Sequence, residues 1–187
     1  MCIRDRGLLL FGTALHAREF NQIEFPDLIT LADTDTELQL NGVGMRTKFV
    51  FDVYVGALYT QAPAKTRDEV QSQKGPKRVL MHFVFDEVEA EKLVDGWTEG
   101  FEENQSEEQF GKLSERLEKF NTMFSTVKAG DVVLLDYVPA TGTLVTIRGE
   151  KKGVIKGEDF YAALLDVWLG DEPADDDLKQ AMLGGED

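Results

Sequence analysis

The stretch LQLNGVGMRTKFVFDVYVGALYT, residues 38–60, sets one arginine, Arg46, inside an otherwise apolar, glycine-punctuated run. After it the chain alternates with period two. Phe49, Phe51, Val53, Val55, Ala57 and Tyr59 fall on one face, and Val50, Asp52, Tyr54, Gly56 and Leu58 on the other. This predicts a sheet strand from Lys48 to Tyr59 rather than a helix. Gly42 and Gly44 predict a bulge or a close backbone approach, with room beside Arg46 for a small molecule or another strand. A buried guanidinium without a partner is costly. Arg46 therefore has either a carboxylate at a sheet edge or an anionic ligand, and the residues alone leave both open.

Outward from this run, strands are predicted at Thr36 to Leu40, Lys77 to Phe85, Asp131 to Tyr137, Thr143 to Arg148 and Gly153 to Lys156. Pro139, Thr141-Gly142 and Lys152-Gly153 punctuate the last group as turns of an antiparallel meander. Helix starts are marked by capping pairs: Thr66 with Glu69, Asp86 with Glu89, and Ser106 with Gln109. One amphipathic stripe contains Leu93, Trp97 and Phe101, and the next contains Leu113, Leu117 and Phe120. A further helix is predicted from Glu158 to Leu169, and a short one after Pro173 with acidic residues in its first turn. Runs of strands and runs of helices give an α+β fold: an open-faced antiparallel sheet with a layer of helices on one face.

At 187 residues and 42% hydrophobic, the chain is long enough for one full core. A net charge of −15 works against nucleic acid and against anionic surfaces, which are bound through clustered Lys and Arg. Residues 1–17 contain the apolar run Gly7 to Ala17, of export-signal length and too short to span a bilayer. A periplasmic or secreted protein is expected, with one domain over residues 18–187; a short N-terminal core element is the other reading of this run. The first six residues, MCIRDR, read as vector or assembly sequence.

No phosphate-binding loop, dinucleotide fingerprint or zinc motif is present, so no cofactor and no metal are expected. Gly42-Val43-Gly44 is followed by a strand, not by the helix that a phosphate turn needs. The acidic residues from Asp86 to Glu118 fit solvated helix faces, and His82, between Leu80 and Val84, fits a core or interface position. Asn104 lies seven residues after Trp97 and either offers its amide to a ligand or caps the helix end.

The Gly-x-Gly-x-Arg of Gly42 to Arg46, the following FVFDVYVGALYT, the segment GWTEGFEENQ and the tail GVIKGEDFYAALLDVWLGDEPADDDLKQAMLG resemble the chalcone isomerase-like family. They are most similar to its exported bacterial members, over about Gln22 to Gly184. The resemblance implies an antiparallel sheet with helices on one face and a ligand cleft between the layers. Plant members close a flavanone ring with an Arg and several hydroxyl and amide donors. Arg46 and Asn104 match the family Arg and Asn, so they are the catalytic residues if the chain is an isomerase. Val53 and Trp97 stand where the family has Thr and Tyr, and no Thr or Ser occupies the last donor position near Asp177-Leu178. Such losses remove most of the transition-state stabilisation that ring closure needs. Other members of the fold bind fatty acids without catalysis. The resemblance then implies a small apolar or anionic ligand held by Arg46 and Tyr54, with Trp97, Phe101 and Asn104 around it. For Arg46 and Tyr54 to meet, the chain must reverse between them. An interaction module with a structural Arg46 and acidic helices facing a protein partner is the remaining alternative.

Overall fold

The computed structural model describes residues 16–31 and 34–185. In chain order it contains β1 (Ala17–Phe20), β2 (Ile23–Pro26), β3 (Leu28–Leu31), β4 (Thr36–Lys48), β5 (Phe51–Thr60), α1 (Arg67–Ser72), β6 (Lys77–Phe83) and β7 (Glu87–Val88). Then follow α2 (Ala90–Asn104), α3 (Glu107–Asn121), β8 (Val127–Lys128), β9 (Val132–Val138), β10 (Gly142–Ile147), β11 (Glu150–Ile155), α4 (Glu158–Leu169) and α5 (Asp176–Met182). The alternating run becomes β5, near the middle of a seven-stranded antiparallel sheet ordered β11-β10-β9-β6-β5-β4-β3. The fold is the predicted α+β arrangement, an antiparallel sheet with helices packed on one side.

The predicted single strand from Lys48 begins too early, because the chain reverses at Phe49-Val50 and Lys48 closes β4 opposite Phe51. No Asn-Gly or Asp-Gly announces this two-residue turn; Phe49 itself takes the left-handed conformation at φ 59°. Two register shifts place bulges at Asn41 and at Val53. The second breaks the alternation, so that Val53 and Tyr54 both border the same cleft. The Asn41 bulge turns its amide to α5 and the loop before α1: it donates to the carbonyls of Ala64 (2.9 Å) and Met182 (2.8 Å) and accepts from Ala64 N–H (2.7 Å).

The space predicted beside Gly42 and Gly44 belongs to α5. A Cβ on Gly42 would lie 1.9 Å from the Ala181 carbonyl oxygen, so only glycine lets this helix lie directly on β4. Asp175 caps α5 by accepting from Leu178 N–H at 3.0 Å, and its other oxygen accepts from Thr47 N–H at 2.9 Å.

On the helix side the core joins Leu58, Val79, Met81 and Phe83 of the sheet to Leu93, Trp97 and Phe101 of α2 and to α4, which is buried along most of its length. Thr66 and Ser106 cap α1 and α3 as predicted, and the Ser106 backbone N–H donates in return to the Gln109 side-chain oxygen. The predicted cap at Asp86 is displaced: Glu87–Val88 pairs with Val127–Lys128 as a small ribbon, and α2 begins only after Glu89, with no side-chain cap. The opposite face of the sheet carries a second, smaller core. Val55, Ala57 and Tyr59 pack there with Val43, Leu38 and Leu31, and Phe25 of the β1–β2 hairpin covers them. The expected end of the export segment, Ala17, is the first residue of β1, and residues 1–15 of that segment lie outside the described residues. Among the described residues no helix is long and apolar enough to cross a membrane.

Candidate functional site

Between the sheet and α2 lies a cleft of about 990 Å³. Its sheet wall is Tyr54, Met81 and Phe83, and its helix wall is Leu93 and Trp97, with Val167 of α4 and the segment Glu172 to Ala174 closing one end. The walls are apolar because these are the inward stripe of α2 and the helix-facing positions of β5 and β6. A ligand of fatty-acid or polyphenol size fits this volume.

Arg46 and Tyr54 meet here as a cross-strand pair, directly opposite one another in the β4–β5 ladder. The reversal that their meeting requires is the Phe49-Val50 turn. Arg46 Nη1 donates to the Thr47 carbonyl at 2.6 Å, and the guanidinium lies near enough to the Tyr54 phenol for its charge to act on that hydroxyl. No carboxylate among the described residues forms an ion pair with Arg46. The nearby carboxylate, Asp175, has both oxygens engaged by backbone N–H groups. The alternative of a sheet-edge carboxylate partner thus finds no support in the side-chain geometry.

Tyr54 is buried, and its phenol oxygen accepts from Trp168 Nε1 at 2.8 Å. Burial pushes its pKa up to about 12, against a lowering pull from Arg46. The phenol therefore stays neutral at ordinary pH. Its oxygen accepts from Trp168, while its own O–H has no acceptor among the described residues. A guanidinium and a phenol O–H side by side form a donor pair suited to a carboxylate or another oxyanion. The pair offers no general base, since a phenol of such high pKa is not ionised near neutrality.

Of the other predicted site residues, Trp97 lines the cleft, buried among Phe120, Phe124 and Trp168, with ring centroids 5.3–5.6 Å apart. Its indole N–H has no hydrogen-bond partner among the described residues. Phe101 does not reach the cleft; one turn further along α2, it is fully buried against Phe160 at 5.4 Å. Asn104 does not border it either. Its amide donates to the carbonyls of Gly100 (3.0 Å) and Glu172 (2.7 Å), and its oxygen accepts from Glu172 N–H (3.0 Å). Both ends of the amide are spent on clasping the segment that closes the cleft, so Asn104 positions Glu172 and Pro173 rather than a ligand. Val53 and Trp97, the positions where the family pattern has hydroxyl donors, do border the cleft, and present an isopropyl group and an indole.

Sequence reasoning passed over Met81, Phe83 and Val167, which read as generic core, and the acidic residues Glu99, Glu103 and Glu172 on the rim. Their signal is only spatial: they come from β6, α2, α4 and the segment after α4. Among the described residues no group of three or more His, Cys, Asp or Glu side chains is placed to hold a metal ion.

No curated protein sequence matches the chain. Among solved structures, a fatty-acid binding protein of Arabidopsis thaliana superposes with a TM-score of 0.66 at 17% identity, over 90% of this chain and 96% of that one. At such low identity the likeness establishes the shared fold. The model of the family described as chalcone isomerase-like matches residues 17–184, nearly the whole of the chain, and the protein therefore belongs to the chalcone isomerase-like family.

Proposed function

We propose that the protein is an exported binder of a small apolar carboxylate, a fatty acid or a near analogue, held in the cleft without isomerase catalysis. The observation that carries this reading is Arg46: a guanidinium beside a neutral phenol at an apolar cleft, with no carboxylate paired to it among the described residues. A fatty acid supplies what is missing, with its carboxylate on Arg46 and Tyr54 and its chain along Phe83, Leu93 and Trp97. The structural neighbour that binds fatty acids supports the same ligand class. Export is supported by the apolar Gly7 to Ala17 run alone.

Ring closure of a chalcone is disfavoured, because charge developing on the enone oxygen would meet Val53 and Trp97 in place of hydroxyl donors, and Asn104 is turned away. The test is direct. Purified protein is examined by native mass spectrometry for bound lipid and titrated with a long-chain fatty acid, and flavanone formation is followed in parallel. Saturable fatty-acid binding is expected, with no flavanone formed above the solution rate. A chalcone kcat/KM on the order of 10⁴ M⁻¹s⁻¹ with no fatty-acid binding would replace this reading by the isomerase one.

A further inference from the structure

The apex of the β4–β5 hairpin is the least economical part of the surface. Phe49, Val50 and Phe51 are 90%, 84% and 55% exposed, and Phe85 packs edge-on against Phe51 at 5.6 Å. Phe49 also holds a left-handed backbone conformation that glycine or asparagine would adopt at lower cost. A stable hairpin needs neither the exposure nor the strain. The patch is continuous with the cleft, whose outer end is lined by Phe49, Phe51 and Phe85.

We propose that this apex inserts into the interfacial layer of a lipid bilayer, and that an acyl ligand passes there between bilayer and cleft; the second half rests on the reading of the cleft as a carboxylate-binding site. The shape favours a bilayer over a protein partner. A convex, two-residue turn with two neighbouring rings presents far less than the roughly 800 Å² per partner that a specific protein interface buries, whereas a bilayer accepts a protruding apolar tip of any outline. Lys48, the chain neighbour of Phe49, and Lys92 also border the cleft, and they serve the headgroup phosphates when the tip is inserted. The remaining rim explains why a direct route from the membrane matters. Glu87, Glu89, Asp95, Glu99, Glu103 and Glu172 all border the cleft of a chain with net charge −15, and this field opposes the arrival of a free carboxylate through water. An acyl chain entering from the apolar side avoids that barrier.

The test uses Val50, which stands at the apex and does not line the cleft. Wild type, Val50→Asp and Val50→Trp are sedimented with phosphatidylcholine vesicles, titrated with fatty acid in solution, and timed for fatty-acid uptake from loaded vesicles. Wild type is expected to partition onto vesicles, and Val50→Trp to partition more strongly with a blue-shifted emission. Val50→Asp should partition at least about tenfold less and take up vesicle-borne fatty acid correspondingly more slowly, with solution affinity unchanged. Added phosphatidylglycerol should weaken partitioning, because two lysines do not offset the net charge. Equal partitioning of Val50→Asp and wild type, or no partitioning of either wild type or Val50→Trp, overturns the proposal. A concentration-dependent dimer that Val50→Asp abolishes overturns it too and assigns the apex to a second copy of the chain. Intact vesicle partitioning with no fatty-acid binding in solution would instead sink the cleft reading by itself.

Discussion

Two arginines in this molecule sit at opposite ends of one scale. Arg67 donates from Nε (2.6 Å) and Nη2 (2.7 Å) to Asp166, a buried carboxylate on α4. Gln71 and Gln105 complete the set at 2.8 and 2.9 Å, so the ion pair ties α1, α4 and the end of α2 into a closed network. Arg46 has a backbone carbonyl, a neighbouring phenol and, among the described residues, no carboxylate. The contrast teaches that the chain has the means to complete a guanidinium where it serves the fold. At the cleft the guanidinium is left incomplete.

The comparison can be broken most violently at Arg67. Arg67→Ala strands a buried Asp166 carboxylate with only its two glutamine donors, and should destabilise the fold by about 3 kcal/mol in urea unfolding. A loss under about 1 kcal/mol would mean that the closed network is not structural. At Arg46 the expected effects are reversed. Arg46→Lys replaces a two-pronged donor by a point charge and should weaken fatty-acid binding by roughly 1 to 3 kcal/mol by calorimetry, with little change in the melting of the empty protein. A large ligand-free destabilisation with unchanged binding would place Arg46 alongside Arg67.

A third cation, Lys77, is buried where the two arginines are only half-buried. Lys77 donates to the carbonyls of Gln73 and Gly75 and sits 5.3 Å from the Tyr137 ring centroid, with no ion pair among the described residues. Burial pulls its pKa down from 10.5 to about 8. Folded Lys77 thus releases its proton near pH 8 and the unfolded chain near 10.5, so between these values the unfolded chain binds more protons and stability rises with pH. From about pH 8 to pH 9.5 this contributes on the order of 1 to 2 kcal/mol. Lys77→Met should flatten the rise in pH-dependent denaturation curves. Tyr54 and Tyr59, both held near 12 by burial, act oppositely only above their usual value of 10. The smallest effect is expected at the hairpin apex, where Phe49→Asn relieves the left-handed strain and should add about 0.5 kcal/mol of stability. A loss there would show the phenyl ring to be a structural contact of the cleft.

Much of this was legible in the chain. The period-two run, the capping pairs at Thr66 and Ser106, and the helix from Glu158 each carry their own local signal; Arg46 stands out by residue type against an apolar background, while Tyr54 and Trp97 enter as site residues through the family resemblance. What was illegible depends on distance. The Phe49-Val50 turn lacks turn residues, because its apex is built from side chains that a turn ordinarily avoids. Asp86 looked like a helix cap until Val127–Lys128, far along the chain, claimed Glu87–Val88 as a strand. Phe101 and Asn104 follow Trp97 along α2, but Phe160 covers the first and the Glu172 backbone takes up the second. Gly42 and Gly44 advertise a close approach without saying whose, and the answer, α5, lies at the other end of the chain. The small core under the β1–β2 hairpin went unread because strands of four residues are too short to show a period.

The bond from Trp168 to Tyr54 has an optical consequence. The chain holds two tryptophans, Trp97 and Trp168; their rings lie 5.6 Å apart, and one hydrogen-bonds the phenol that stands beside Arg46. The tryptophan emission of the whole protein therefore originates beside its cleft. Any guest that draws on the Tyr54 hydroxyl changes the electron density of the oxygen facing the Trp168 indole, and the protein signals the event with no label attached.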